Sequence, residues 1–366
     1  MPIPAAARAL MRATPTVVRL QNRGLIFVSG SQAAEFLNGL ISTAVTTQSL
    51  GSFYSSFLHA QGRVLHDVFI HATRDAKSQP AYLIEYDATA PADAPALLPM
   101  LKRHVLRSKV RLRDASDEYN VWAAWGHDSK VGDSRRWMRA QSGAIEPEWD
   151  SSPWGLEGEA LVDRRAEGMG TRRLVRTGDR PQEAISHDEG VPDDYLLHRV
   201  LRGVPEGVVD IPPMQAFPME SNLDVMGALD FRKGCYVGQE LTVRTYHTGV
   251  VRKRILPVLL HSPTPTSHGL DNSQSHSRFT SGLSIRASLT HAPGEGRVAR
   301  PRGTGKLLST LRGVGLALLR LEHVEGLEKG DLKFDLVDEG AVASNNNASF
   351  VTPWWPDWWP KQVEGV

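Results

Sequence analysis

The sequence predicts an α+β protein. A body of mixed strands and helices should run over residues 17–248, followed by a small β-barrel over 249–352. Three observations lead there. A chain of 366 residues is long for one core, so two or three subdomains are expected. In the first two thirds, stretches of strand alternation give way repeatedly to stretches of helical spacing. In the last third, short apolar strands are separated by glycine turns, the pattern of a small barrel.

The totals are those of an ordinary globular protein, 41% hydrophobic and 23% charged. With 42 basic and 41 acidic residues the net charge is +1, too little field to attract nucleic acid or an anionic membrane. A single cysteine excludes an internal disulfide, and it excludes a four-cysteine zinc or iron–sulfur site built by this chain alone. No apolar run reaches the length of about 18 residues that a transmembrane helix needs.

Residues 1–16 are expected to stand apart from the fold. Met1 to Arg12 is rich in Ala and Arg, and no acidic residue precedes Glu35. That fits either the end of a mitochondrial transit peptide or a disordered basic terminus. Val17–Leu20 and Leu25–Val28 flank Gln21-Asn22-Arg23-Gly24 and read as a β-hairpin. Ser29 or Ser31 is placed to cap a helix whose apolar residues Ala33, Phe36, Leu37, Leu40 and Ile41 recur at helical spacing. A second hairpin runs from Phe53–Ala60 through Gln61-Gly62 to Arg63–His71. On its return strand Val64, His66, Val68 and Ile70 share one face, and Arg63, Leu65, Asp67, Phe69 and His71 the other. His66 reads as a core histidine. Asp67 either lines a pocket or pairs with Arg63.

Ala81–Tyr86 is a strand and Asp93–Leu106 a helix; Val110–Leu112, Val121–Trp125 and Leu161–Asp163 are further strands. Between Gly126 and Gly158 periodicity is weak, the texture of a surface insertion. Asp193 or Asp194 caps a helix through Val200 that Gly203 ends, and Leu223–Leu229 is helix-like. The barrel strands begin in Val250–Leu260 and continue in Gly294–Val298, Gly313–Leu321 and Leu332–Val337. Residues 261–281 read as a solvated loop. The histidines at His261, His268, His276 and His291 have no metal spacing. Residues 353–366 carry Trp354, Trp355, Trp358 and Trp359, which call for a tail docked on its own body or a partner-binding patch.

The stretch that carries chemistry is Lys233-Gly234-Cys235-Tyr236-Val237-Gly238-Gln239-Glu240. Gly234 and Gly238 leave the backbone free on either side of the thiol. From Gly238 the chain reads as a helix with Glu240, Arg244 and His247 on one side and a Glu240–Arg244 pair. Cys235 would then lie near a helix N-terminus beside Arg232 and Lys233, both of which favour the thiolate. Thiolate attacks electrophiles and binds soft metals. The alternative is a small buried cysteine in a glycine turn, which the polar, basic setting argues against.

This octapeptide resembles the signature of the YgfZ family. These are folate-enzyme-like proteins, related in fold to the glycine-cleavage T-protein, that assist iron–sulfur cluster assembly. Leu241-Thr242-Val243-Arg244-Thr245 and the segment Phe57–Asp67 continue the likeness. The resemblance implies a T-protein-like body of two intertwined subdomains that closes with the barrel into a ring-like arrangement around a central pocket. It implies a functional motif of Lys233, Gly234, Cys235, Tyr236, Gly238, Gln239, Glu240 and Arg244. The eukaryotic branch is mitochondrial, which favours the transit-peptide reading of the first residues and a place in the mitochondrial matrix. In T-protein relatives the second hairpin carries a pair of acidic residues, one of them catalytic near the folate. Here the pair reads His66-Asp67, which argues against transferase chemistry. A glutamate at the place of Glu220 contacts the pterin in folate-binding relatives, since a carboxylate accepts two parallel N–H bonds. Asp67 and Glu220 are therefore the expected folate-pocket residues, facing one cavity, with tetrahydrofolate as their ligand.

One thiolate supplies only one of the roughly four ligands that a cluster takes. A [2Fe–2S] or [4Fe–4S] cluster would have to be shared, with Cys235 as this chain's metal ligand. The resemblance implies the partner: A-type scaffold proteins, which help convert [2Fe–2S] units into [4Fe–4S] clusters. The leading expectation is a non-enzymatic assembly factor that is a monomer on its own and binds neither nucleic acid nor membrane. The runner-up is a tetrahydrofolate-dependent aminomethyl transferase. A thiol enzyme with Cys235 as nucleophile and His247 as base rests on helical spacing alone.

Overall fold

The structure is a computed structural model. It describes residues 1–12, 14–45, 51–89, 95–126, 135–149, 154–155, 157–261, 279–290, 303–337 and 349–360. In chain order the elements are α1 (Ala5–Ala9), β1 (Thr16–Leu20), β2 (Arg23–Ser29), α2 (Ala33–Asn38), β3 (Phe53–Leu58), β4 (Val64–Arg74), β5 (Pro80–Asp87), α3 (Leu97–Val105) and β6 (Arg111–Asp114). Next come β7 (Tyr119–Trp125), β8 (Arg136–Arg139), β9 (Ile145–Glu148), β10 (Leu161–Val162), β11 (Thr171–Arg176), β12 (Asp188–Glu189), α4 (Pro192–Leu201), α5 (Gly207–Asp210) and α6 (Gln239–Thr248). The last are β13 (Lys253–His261), β14 (Ser284–Leu289), β15 (Thr304–Leu311), β16 (Val314–Arg320), α7 (Leu321–Glu328), β17 (Leu332–Val337) and β18 (Phe350–Pro353). The chain divides into two compact units. The body is Arg12–Tyr195 with Glu206–Val251, and the barrel unit is Met1–Met11, Leu196–Pro205 and the chain from Arg252 onward.

The body holds two five-stranded sheets, ordered β3-β4-β5-β2-β6 and β10-β11-β7-β1-β12. The expected β1–β2 hairpin is not formed. β1 pairs with β7 and β12, whereas β2 pairs with β5 and β6. Both strands are buried at almost every residue. Each therefore needs a neighbour on both edges, and those neighbours come from distant sequence. The Gln21-Asn22 turn hands the chain from one sheet to the other. The β3–β4 hairpin forms as expected, with Ser56 opposite Asp67 and a bulge between Phe57 and Leu58. Neither Ser29 nor Ser31 caps α2; Gln32 precedes it without a side-chain bond, and Ala33 N–H donates to the Gly30 carbonyl. α3 is shorter than its pattern and starts at Leu97. Phe36, Leu37 and Ile41 from the α2 region and Leu97 and Leu101 from α3 pack on Val68, Ile70 and Ile84 of the first sheet. Leu223–Leu229 is a series of turns rather than a helix, because Asn222 and Gly227 adopt positive φ, 64° and 77°. Part of the expected surface insertion is the β8–β9 hairpin, where Ile145 N–H donates to the buried Asp224 carboxylate at 2.9 Å.

The barrel closes in the order β13-β16-β15-β14-β17-β18. Leu256, Val258, Leu307, Ala317, Leu319 and Phe334 form one of its cores. A second core gathers Ile3 and Ala7 of the first residues with Leu197, Leu201, Leu316 and Trp354. The tryptophan tail is docked on its own unit: Trp354 is fully buried, and Trp358 Nε1 donates to the Arg202 carbonyl at 2.7 Å. The expected strand at Gly294–Val298 and His268, His276 and His291 lie outside the described residues.

A buried ionic network joins the two sheets of the body. Arg172 on β11 donates to Glu85 on β5, to Glu206 and to the Tyr195 hydroxyl. Arg23 Nε donates to Glu85 at 2.8 Å, and His71 Nε2 lies 2.9 Å from its other oxygen. Arg165 grips Asp163 with two nitrogens, at 2.9 and 2.7 Å. Arg165 and Arg172 lie over the Phe69 ring, 4.7 and 4.1 Å from its centre. Burial alone would raise the Glu85 carboxyl, but the Arg172 and Arg23 guanidiniums overcome it and hold it down at about 2. Removing one member of such a network leaves buried charges unpaired, so Glu85→Ala should cost about 3–5 kcal/mol in urea unfolding at neutral pH. A cost below about 1 kcal/mol would show that water takes the place of the carboxylate. The folded pKa is depressed, so this stabilisation is complete above the ordinary value of 4.5 and is lost as pH falls toward about 2.

Candidate functional site

The cysteine loop is fixed on both sides by backbone that only glycine permits. α6 starts at Gln239, and Gly238 caps it in the left-handed region at φ 83°. A Cβ on Gly238 would stand 2.4 Å from the His59 carbonyl oxygen and 2.7 Å from Leu58 Cβ. On the facing β3–β4 turn, Gly62 at φ 75° comes as close to Leu241, whose Cβ would be 2.6 Å away. The turn therefore lies directly against the first turn of α6.

Lys233 fastens the other end. Its ammonium points inward and donates to the carbonyls of Asn38, Ile41 and Thr43 at 2.8, 2.7 and 3.0 Å. The first of these belongs to the last turn of α2, where carbonyls lack helical partners. The ammonium also lies 4.8 Å from the centre of the Tyr236 ring, which is buried. Burial pushes Lys233 down to about 8. Gln239 closes the loop by accepting Tyr236 N–H on Oε1 at 3.2 Å. Between these anchors Gly234 and Cys235 are exposed, and nothing lies within 4 Å of a Cβ built on Gly234.

The structure thus places Lys233, Gly234, Cys235, Tyr236, Gly238 and Gln239 in one loop, with Glu240 and Arg244 exposed on α6 beside it. Cys235 stands on the loop three residues ahead of Gly238, close to the start of α6. Two details depart from the sequence reading. The flanking cations are engaged: Lys233 by carbonyls, and Arg232 by Glu146 at 3.2 Å and Glu148 at 3.7 Å. Glu240 and Arg244 form no ion pair among the described residues, since two solvated side chains gain little from pairing. His247 lies edge-on to Tyr246, 5.0 Å between ring centres.

The expected folate residues are placed differently. Asp67 is 3% exposed, and its oxygens accept the Tyr54 hydroxyl at 3.3 Å and Gly207 N–H at 3.0 Å. Burial pushes its carboxyl up. Arg63 does not pair with it; Arg63 donates to the Gln215 carbonyl at 2.8 Å and stacks on Phe217. His66 is a core histidine, edge-on to Tyr86, with burial lowering its pKa. Glu220 is half-buried in the turn before Asn222. A cavity of about 770 Å³ beside the cysteine loop is lined by Tyr54, Trp149, Trp154, Arg136, Glu146 and Lys233, among others, and by neither Asp67 nor Glu220. Asp67 is thus committed to contacts within the core.

Sequence reasoning missed Glu146, Phe231 and Tyr246. Phe231 stacks on Tyr246 with 4.1 Å between ring centres, and Glu146 accepts the Tyr246 hydroxyl at 2.6 Å. The available signal was one aromatic on each side of the cysteine motif.

Across its length the chain is similar to the crystal structure of glycine cleavage system aminomethyltransferase T from Bartonella henselae. The TM-score is 0.57 at 15% identity, over 96% of this chain and 88% of that one, which establishes a shared fold. Residues 252–361 match the family model described as CAF17, C-terminal beta-barrel domain. Three fungal proteins named "Iron-sulfur cluster assembly factor IBA57 homolog, mitochondrial" are similar in sequence. The one from Cryptococcus neoformans var. neoformans serotype D is 42% identical, covering 86% of this chain and 85% of that protein. Those from Mycosarcoma maydis and Pyricularia oryzae are 34% and 39% identical, covering 97% and 91% of this chain and 87% and 78% of theirs. Fold and loop together define a protein with the T-protein fold that presents a lone exposed thiol on a clamped loop. The chain belongs to the IBA57 family of mitochondrial iron–sulfur cluster assembly factors.

The two glycines of the motif should behave differently. Gly238→Ala forces a left-handed side chain into a carbonyl and should cost about 2–4 kcal/mol in thermal unfolding. Gly234→Ala faces open space and should stay within about 0.5 kcal/mol. Equal effects would mean that the turn and α6 are not in contact.

Proposed function

We propose that this protein shares an iron–sulfur cluster with an A-type scaffold protein through Cys235, and so supports maturation of [4Fe–4S] proteins in the mitochondrial matrix. The observation that carries this reading is a single exposed thiol held at the apex of a clamped loop. Among the described residues, no three His, Cys, Asp or Glu side chains converge on a metal site. The cluster, [2Fe–2S] or [4Fe–4S], is then cargo whose other ligands come from the partner. The thiol loses its proton to solvent, and the sulfur donates an electron pair to iron. No bond in a substrate is broken, so the role is assembly and not catalysis.

The motif residues divide the work. Lys233, Tyr236, Gly238 and Gln239 fix the loop, and Gly234 keeps the thiol clear of neighbours. Glu240 and Arg244 sit on the exposed side of α6, where a docked scaffold would meet them. Arg244 makes no ion pair among the described residues and is free to face the negative charge of a thiolate-ligated cluster. The alternative, tetrahydrofolate-dependent aminomethyl transfer, requires an accessible carboxylate, and the geometry of Asp67 disfavours it.

The test is anaerobic mixing with an A-type scaffold carrying [2Fe–2S], followed by visible absorption and size measurement. The wild-type protein should give a chromophore that co-migrates with a heterocomplex. Cys235→Ser should lose it while shifting stability by no more than about 0.5 kcal/mol. Full chromophore and cluster transfer by the Ser variant would falsify the reading.

A further inference from the structure

The loop that presents Cys235 is also held from outside its own motif. Glu146 lies on β9 and is 4% exposed. Its Oε1 accepts the Tyr246 hydroxyl at 2.6 Å, and its Oε2 accepts Arg232 Nη2 at 3.2 Å. Arg232 precedes the cysteine loop and Tyr246 follows it on α6, so one carboxylate ties both arms. Phe231 lies nearly flat on Tyr246, 23° between the ring planes, and closes the same junction. The base of this latch is itself anchored. Glu146 pairs with Met138 across the β8–β9 hairpin. Ile145 N–H is bound by Asp224, and Val251 N–H donates to the Ser142 carbonyl at 2.7 Å.

We propose that Glu146 is a positioning residue for Cys235, holding the thiol in the one orientation in which it can complete a cluster already carried by a partner. This rests on the cluster-sharing reading. A protein that contributes a single ligand has little binding energy with which to order a mobile loop after encounter. An ordered loop removes that cost beforehand.

Cys235 is the chain's single cysteine, so a nitroxide label reports on this loop alone. On the wild-type protein, well below its unfolding temperature, the label should give a slow-motion spectrum. Glu146→Gln keeps the shape but loses the charge, and the label should become mobile. The cluster-bridged complex with the [2Fe–2S]-loaded scaffold should weaken about tenfold, from the worth of a hydrogen bond to a charged group. Glu146→Asp should recover part of both effects. Tyr246→Phe and Arg232→Gln, which each remove one arm, serve if Glu146→Gln fails to fold. Unchanged label mobility in the folded variants overturns the proposal. So does increased mobility with unchanged complex affinity. The two readings fail separately: a chromophore retained by Cys235→Ser removes cluster sharing, while label mobility still reports whether Glu146 orders the loop.

Discussion

The buried charges around Glu85 are the constraint on which the body depends. Burying Arg23, Arg165 and Arg172 is costly unless each guanidinium meets carboxylates in fixed positions. Arg172 reaches from one sheet to Glu85 on the other, and can do so only in one register. β4 is fixed in turn. Phe69 and His71 contact members of the network and Asp67 lies in the field of Arg23, while Val68 and Ile70 pack in the α2–α3 core. A slip of one residue would exchange these faces. The register of β4 sets where the β3–β4 turn ends, and that turn carries the His59 carbonyl against which Gly238 lies. The position of the cysteine loop is thus inherited, through one strand, from an ion network far from it in sequence.

Around the loop itself, charge serves geometry before it serves attraction. Two cations flank Cys235 in the sequence, yet Lys233 closes the end of α2 and Arg232 joins Glu146. A clamped apex results, with Gly234 facing open space and Cys235 exposed. Had both cations been left unpaired, the loop would show more uncompensated positive charge but would have lost two of its anchors.

The motif was legible because its logic is local. Gly238 needs positive φ, the helix follows it, and a polar glycine-framed cysteine is exposed. The β3–β4 hairpin was legible for the same reason, since its turn and alternation lie in one stretch. The β1–β2 hairpin was misread because short-range turn chemistry says nothing of better partners elsewhere: β7 for one strand, β5 for the other. The network was harder to see. Arg23, Arg165, Arg172 and Glu206 look like surface charges until a fold brings them together. Glu85 did carry a signal, for it sits within the apolar run Ala81–Tyr86, where a carboxylate must find a cation. Glu146 carried almost none, because the weak periodicity between Gly126 and Gly158 hid a hairpin whose value lies in a contact with α6.

The chain shares the aminomethyltransferase fold, with Asp67 committed within the core to Tyr54 and Gly207 and its one thiol on the outside. On the proposed reading that arrangement suits moving a cluster between proteins. Several ligands from this chain would hold the cluster as a resident cofactor and slow its release. One ligand leaves binding reversible, but it also leaves little free energy to organise the encounter. The clamps at Lys233, Gly238 and Glu146 answer that difficulty, since a rigid single ligand retains easy release without the cost of ordering a loop at each meeting.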